Sequence, residues 1–157
     1  MQKDIELRVL EGDITIPYQW TPGKIYGRFL GGLKNKKILG CKCKECGKVY
    51  LPPMDLCPVC LYDFEDTDFV EVSDKGVINS YTIVEIPLIR FVEYAVNRPD
   101  PPYAIISIKL KGADTNLLHL VKGDENLKKL KVGARAKAAW RDDTHGLILD
   151  IDGFNII

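Results

Sequence analysis

Residues 41–60 read CKCKECGKVYLPPMDLCPVC and hold all five cysteines of the chain. Four of them fall into two pairs, Cys43 with Cys46 and Cys57 with Cys60, in the spacing C-x2-C-x10-C-x2-C. A Cys-x2-Cys turn brings two thiolates to one point, and a second such turn completes a tetrahedron with Zn–S distances of about 2.3 Å. Gly47 follows the first knuckle, where a positive φ is readily taken by glycine. Pro52 and Pro53 stiffen the path to the second knuckle, and Pro58 lies inside it. The stretch predicts one zinc ion on Cys43, Cys46, Cys57 and Cys60. Four thiolates leave no open coordination position, so the site is expected to be structural, its binding energy serving as folding energy for a small module. Cys41 is left over and is assigned to the strand that leads into the ribbon.

The rest of the composition frames this cluster. A chain of 157 residues forms one domain of ordinary size or two small ones. Its 22 basic and 22 acidic residues cancel, so no overall field draws it to nucleic acid or an acidic membrane. The N-terminus MQKDIELRVLEGD lacks a signal-peptide layout, and no run of 18 apolar residues occurs. The sequence therefore reads as cytoplasmic, with no membrane partner, and in a reducing compartment paired cysteines are metal ligands before they are disulfides. Charge is nevertheless uneven. Residues 63–74 carry six acids and no base, and residues 109–141 carry nine bases against three acids. A solvated surface is the plain explanation of both runs, and a local anion site is the sharper one.

Three segments are expected: an N-terminal arm (1–36), a zinc ribbon (37–65) and a barrel (66–157). In the arm, Ile25, Tyr26, Phe29, Leu30 and Leu33 share one helical face. Gly31 and Gly32 weaken its end, and Lys34, Lys36 and Lys37 suit a helix C-terminus. Whether that face docks on the chain's own core or on a partner is open from sequence. Strand signals then recur at short intervals, in DFVEVSDKG, VINSYTIVEI, YAIISIKLKG, TNLLHLVKG, ARAKAAWRDD and LILDIDGFNI. One short helix, DENLKKLKVG, begins at Asp124 as a candidate cap. This order is that of an OB-fold β-barrel, with FVEVSDKGVINSYTIVEI as a long first strand bent at Gly76. The fold class is mainly β. Residues 87–103, PLIRFVEYAVNRPDPPY, are too long and too apolar for a plain connection and read as a contact loop.

No P-loop, dinucleotide fingerprint or nucleophile elbow is present in the sequence. His119 and His145 stand alone, and Trp20, Trp140 and the tyrosines read as core or interface residues. The chain is therefore not expected to be catalytic alone.

A helical arm, GCKCKECGKVYLPPMDLCPVC, GVINSYTIVEI and a small barrel together resemble the acyl-CoA-associated zinc-ribbon OB-fold family. The resemblance covers nearly the whole chain from about residue 18, and Gly47, Tyr50, Pro52, Pro53 and Pro58 match along with the four ligands. Met54 stands where members commonly carry Arg. The paired knuckles also resemble those of rubredoxin, which hold iron. Rubredoxin has a much longer gap between them and a glycine where this chain has Leu61, which favours zinc. The resemblance implies a non-catalytic accessory subunit of a thiolase-type acyl-CoA acyltransferase complex. Its partner would be a thiolase-like or hydroxymethylglutaryl-CoA-synthase-like enzyme carrying the catalytic cysteine and histidine, and this chain would help hold the CoA ester. Relatives of this kind serve archaeal mevalonate synthesis, phloroglucinol acetylation, steroid side-chain cleavage and anaerobic aromatic degradation. Lys42, Lys44 and Lys48, near the ribbon, are candidate partners of the CoA phosphates. The arm, the ribbon and the 87–103 loop would form the interface. The second reading is a single-stranded nucleic-acid-binding module, since ribbons and OB barrels both bind single strands in basic, aromatic-lined grooves. The zero net charge and the lack of interleaved basic and aromatic runs weigh against it.

Overall fold

A computed structural model describes residues 21–86 and 100–157. The first twenty residues, including Trp20, and most of the expected contact loop (87–99) lie outside the described residues.

Helix α1 spans Gly23–Lys34. It buries Ile25, Phe29, Gly32 and Leu33, a spacing that places them on one face. The question left open by the sequence is thereby answered for this helix. Phe29 and Leu33, fully buried, pack in the same cluster as the barrel residues Ile106, Ile108 and Phe154, so α1 docks on the chain's own core. Its C-terminal carbonyls are also used. Thr144 Oγ1 donates to Lys34 O at 2.7 Å, and Asn35 Nδ2 donates to Gly31 O at 2.9 Å. Those bonds satisfy acceptors that a helix end would otherwise leave orphaned.

Two antiparallel sheets follow. Strands β1 (Ile38–Lys42), β2 (Val49–Tyr50) and β3 (Phe69–Val72) form a three-stranded sheet in the order β2-β1-β3. Strands β4 (Lys75–Val84), β5 (Tyr103–Leu110), β6 (Leu117–Val121), β7 (Arg135–Trp140) and β8 (Ile151–Ile156) form the second, in the order β6-β5-β4-β7-β8. Helix α2 (Asp124–Lys129) lies between β6 and β7, where the OB-fold layout places it. The alternating burial of β6 and β7 shows one face of each turned to the core.

The barrel's outer strands β6 and β8 are joined by packing and side-chain bonds. His119 stacks edge-on against Phe154, with centroids 5.6 Å apart, and its Nε2 bonds to Ile148 O at 3.1 Å. A short 3-10 turn, Ile148–Asp150, precedes β8 where the sequence pattern suggested continuous strand. Buried Asp150 fixes that turn by accepting from the backbone N–H groups of His145, Gly146 and Leu147 at 2.7–3.0 Å. The three bonds favour the charged form, and the Asp150 pKa is lowered although its burial opposes this.

Three local expectations are corrected. The long bent strand is two strands. Residues 69–72 pair with β1, with Ile38 opposite Val72 and Cys41 opposite Phe69, and the first strand of the five-stranded sheet begins at Lys75. The register irregularity of β4 falls between Ile78 and Ser80 rather than at Gly76. Gly76 is required for another reason, since a Cβ there would collide with Lys109 O and lie 2.8 Å from Leu110 Cα on β5. Finally, Gly123 (φ +85°) is the N-cap of α2, and Asp124 is its first helical residue, where an acid still complements the helix dipole.

The main apolar cluster crosses between the sheets. Ile38, Leu51 and Val72 belong to it together with the barrel residues Ile78, Ala104 and Ile151. Leu51 is tied in further by Thr115, whose hydroxyl accepts from Leu51 N at 2.6 Å and donates to Leu51 O at 2.8 Å. Asp114 likewise accepts from Val49 N at 2.8 Å.

Candidate metal centre

The two knuckles are built alike. Gly47 N donates to Cys43 O and Leu61 N to Cys57 O, both at 2.9 Å. Cys43 N donates to Lys48 O and Cys57 N to Tyr62 O, again at 2.9 Å. The residue four positions after each leading cysteine is left-handed: Gly47 at φ +72° and Leu61 at φ +55°. The glycine position is therefore filled by glycine in one knuckle and by leucine in the other, at a steric cost.

These turns bring Cys43, Cys46, Cys57 and Cys60 together, with all four Sγ atoms within 4.8 Å of one another. Cys46 Sγ and Cys57 Sγ lie 3.8 Å apart. Ligands on a tetrahedral zinc with Zn–S of about 2.3 Å stand about 3.8 Å apart, so the cage fits the ion. Cys43 and Cys57 are buried and Cys60 is exposed. Cys46 N points at Cys43 Sγ at 3.5 Å. The fourth cysteine closes the set, and the four are positioned to bind a metal ion. Cys41 stands outside the group, fully buried on β1, and its thiol is pushed up to about 12, chiefly by burial and then by Asp68.

Around the cage, Tyr50 Oη lies 3.3 Å from Cys57 Sγ and 4.0 Å from Cys46 Sγ. Burial raises the Cys57 pKa, but the Tyr50 bond and the N–H groups of Cys60 and Val59 outweigh it and bring it to about 6. Cys60, although its residue is exposed, moves the other way, to about 12, through desolvation of its thiol within the crowded cage and through its neighbours Cys46 and Cys57. Closely packed thiols resist joint ionisation until a cation is present. Tyr50 itself packs edge-on against Phe64, and Phe64 against Tyr62.

The three ribbon lysines are placed differently from one another. Lys44 Nζ sits 2.9 Å from Asp68 Oδ1, 3.4 Å from Glu65 Oε2 and 3.3 Å from Thr67 Oγ1, over the Tyr62 ring. Its pKa is raised by its neighbours Tyr62 and Asp68. Lys42 and Lys48 are exposed and form no ion pair among the described residues. Lys42 and Lys44 line a cavity of about 420 Å³ with Gly47 and Thr67.

Sequence reasoning passed over Asp68. It lies in the acidic run read as solvated surface, yet it is buried. Its Oδ2 accepts from Tyr62 Oη at 3.0 Å and Glu65 N at 2.9 Å, while Oδ1 faces Lys44 as an ion-pair contact without hydrogen-bond alignment. Composition alone could not separate it from its exposed neighbours. Only the fold, by bringing Lys44 and Tyr62 to it, sets Asp68 apart. The second knuckle also exposes Met54, Leu56, Val59 and Leu61 within eight residues.

Among the described residues, no helix is long and apolar enough to cross a membrane. Residues 31–65 match the family described as "ChsH2, rubredoxin-like zinc ribbon domain", and residues 69–141 that described as "ChsH2, C-terminal OB-fold domain". Among curated proteins, the chain is 34% identical over 76 residues to a DUF35 domain-containing scaffold protein of Methanocaldococcus jannaschii, covering 47% of this chain and 48% of that one. It is 30% identical over 74 residues to a protein of the same description from Methanothermobacter thermautotrophicus, covering 47% and 50%. The chain spans about half the length of the curated relatives it matches. Among solved structures, the Ltp2-ChsH2(DUF35) aldolase shares the fold, with a TM-score of 0.60 at 20% identity over 82% of this chain and 93% of that chain. A DUF35-family protein of unknown function from Sulfolobus solfataricus aligns with a TM-score of 0.56 at 31% identity, over 74% of this chain and 78% of that one. A ribbon and a barrel that each match, together with that level of identity over most of a solved relative, establish that this chain belongs to the DUF35 family, a rubredoxin-like zinc ribbon joined to an OB-fold domain.

Proposed function

We propose that the chain is a non-catalytic accessory subunit of a thiolase-type acyl-CoA complex, with one structural zinc in its ribbon. The observation that carries this reading is the contrast within one knuckle. Its cysteines complete a four-thiolate set with no open position, while Met54, Leu56, Val59 and Leu61 face solvent beside them. A closed metal site supplies rigidity rather than chemistry, and exposed apolar groups on a rigid element suit docking. Family membership supports the same reading, because relatives carry the description "scaffold protein" and a structural neighbour is described as an Ltp2-ChsH2(DUF35) aldolase.

In this proposal the partner is a thiolase-like or hydroxymethylglutaryl-CoA-synthase-like enzyme. The CoA ester is held jointly, with its phosphates near Lys42, which lines the 420 Å³ cavity, and near the exposed Lys48, while Lys44 is engaged by Asp68 and Glu65 and would reach a phosphate only by leaving them. The subunit accelerates turnover by keeping the thioester in position, since misplacement alone costs roughly a hundredfold in rate. The test is reconstitution of the thiolase-type enzyme with and without this chain. Co-purification and a large loss of acyl-CoA turnover on omission are expected. Equal turnover in both preparations overturns the proposal.

A further inference from the structure

The nine bases of residues 109–141 are not spread evenly over the barrel. Four of them, Lys128, Lys129, Lys131 and Arg135, line one cavity of about 690 Å³ at the corner where α2, the following turn, β7 and the end of β8 meet. Its apolar floor includes Leu130, which is buried, and Ile156. None of the four cations has an acidic partner within 4.0 Å among the described residues, although Lys122, Lys137 and Arg141 of the same barrel do. Lys128 and Lys129 have an ordinary role at the C-terminus of α2, where cations complement the dipole. Lys131 and Arg135 lie beyond the helix and have no such role.

The mounting is fixed by hydrogen bonds. Ala134 N donates to Lys131 O, closing the turn, and Gly133 N donates to Ile78 O at 2.8 Å while Ile78 N donates to Ala134 O at 2.9 Å. The turn is thus locked onto β4. On the other wall Asn126 donates to Lys122 O and Asn155 Oδ1 and accepts from Ile156 N, at 3.0–3.1 Å, which holds α2 against β8. Four like charges around one concavity repel one another, and a multiply charged anion relieves that repulsion.

We propose that this corner of the barrel is a binding site for an oligophosphate anion of nucleotide size, a class that includes nucleoside diphosphates and their derivatives. The volume lies in the range of small-ligand sites. The phosphates would meet the four cations, and the ligand's organic part would lie over Leu130 and Ile156. No aromatic residue lines the cavity, so it lacks the stacking platforms that single-stranded nucleic acids use. The site is remote in sequence from the ribbon lysines, and its existence does not depend on the accessory-subunit reading.

The test uses the full metal-loaded chain and three probes, ADP, inorganic pyrophosphate and a twelve-nucleotide oligo-dT, followed by calorimetry and by chemical shifts of labelled protein. ADP is expected to bind at low ionic strength, to weaken with added salt, and to shift the backbone resonances of residues 128–135. The pair Lys131→Gln with Arg135→Gln should lower ADP affinity at least tenfold with the thermal transition unchanged, whereas Lys109→Gln with Lys111→Gln, which removes two exposed bases of the same barrel outside the cavity, should leave it intact. Absence of ADP and pyrophosphate binding overturns the proposal. So does binding that survives Lys131→Gln with Arg135→Gln, and so does oligo-dT binding more tightly than ADP, which would assign the corner to nucleic acid.

Discussion

The hydroxyl of Tyr50 lies 3.3 Å from Cys57 Sγ, so a residue of β2, next to the first knuckle, is bonded to a ligand of the second. A ligand's outer partner orients it and adjusts its basicity, and losing such a partner typically costs about 10–100-fold in metal affinity. Tyr50→Phe keeps the ring that packs on Phe64 and removes only the bond. The expected result is unchanged circular dichroism with a zinc affinity lower by about 10–100-fold, measured by chelator competition. Unaltered affinity would show the bond to be incidental.

Four cysteines are positioned to bind a metal ion, and the fifth, Cys41, is buried outside the group. Cys57→Ser should abolish stoichiometric metal binding and unfold the ribbon, because binding free energy is folding free energy in a module of this kind. Cys41→Ser should retain one metal ion per chain while losing stability, because it places a hydroxyl in a fully buried apolar position. Metal analysis of both variants decides the assignment, which fails if they lose metal equally.

The knuckles, the helix face and the later strand segments were legible in the sequence because each is written in short-range spacing. The C-x2-C pairs, the 25–29–33 stripe and the alternation of LLHLV need no knowledge of the rest of the chain. What was hidden depends on distant residues. Nothing near Phe69–Val72 says that it pairs with Ile38–Cys41 instead of continuing into the barrel. Asp68 differs from the exposed acids beside it only through Lys44 and Tyr62. The basic corner was visible as a charge excess, but only the fold brings Lys128 and Arg135 to one cavity.

Gly76 illustrates the same point. In the sequence it reads as a bend, and in the structure it permits close approach of β4 to Lys109 and Leu110 of β5. The obstacle is backbone, which cannot swing aside as a flexible side chain can. Gly76→Ala is expected to destabilise the chain by at least about 1–3 kcal/mol, the usual cost of overpacking. Denaturant titration measures it, and a change under about 0.5 kcal/mol, typical of neutral surface sites, would contradict the close approach.

Phe29 tests whether helix, ribbon and barrel share one core. It is fully buried in the cluster that includes Ile38, Leu51 and Phe154, elements from all three parts. Phe29→Ala should cost about 3–5 kcal/mol, the range for a large aromatic removed from a core. The loss should appear in one cooperative transition followed both by far-ultraviolet circular dichroism and by metal release. A barrel signal that stays at its original midpoint while metal is released early would indicate separate packing.

His119 makes the stability of the barrel seam dependent on pH. Leu120 N donates to its Nδ1 at 2.8 Å, which leaves Nε2 to carry the proton and donate to Ile148 O at 3.1 Å. The ring is thus held neutral, with both nitrogens used. Burial lowers its pKa below the ordinary value of 6.5, and although the bond to Ile148 O favours the charged form, it does not offset the desolvation. The charged groups that act on it are Lys122, which adds to the lowering, and Asp152, which opposes it while paired at 2.7 Å with that same lysine. A depressed histidine pKa means that the unfolded chain binds the extra proton first. The stability contributed by neutral His119 is therefore present above pH 6.5 and is lost as pH falls from 6.5 towards the lower folded-state value. The buried carboxylates Asp68 and Asp150 titrate below their ordinary value and affect stability only at much lower pH. Denaturation midpoints should accordingly decline between pH 7 and pH 5 in the native chain. His119→Gln, which retains a donor for Ile148 O and does not titrate, should flatten that limb at some cost in stability at pH 7. An identical slope in native and variant chains would remove His119 as its cause.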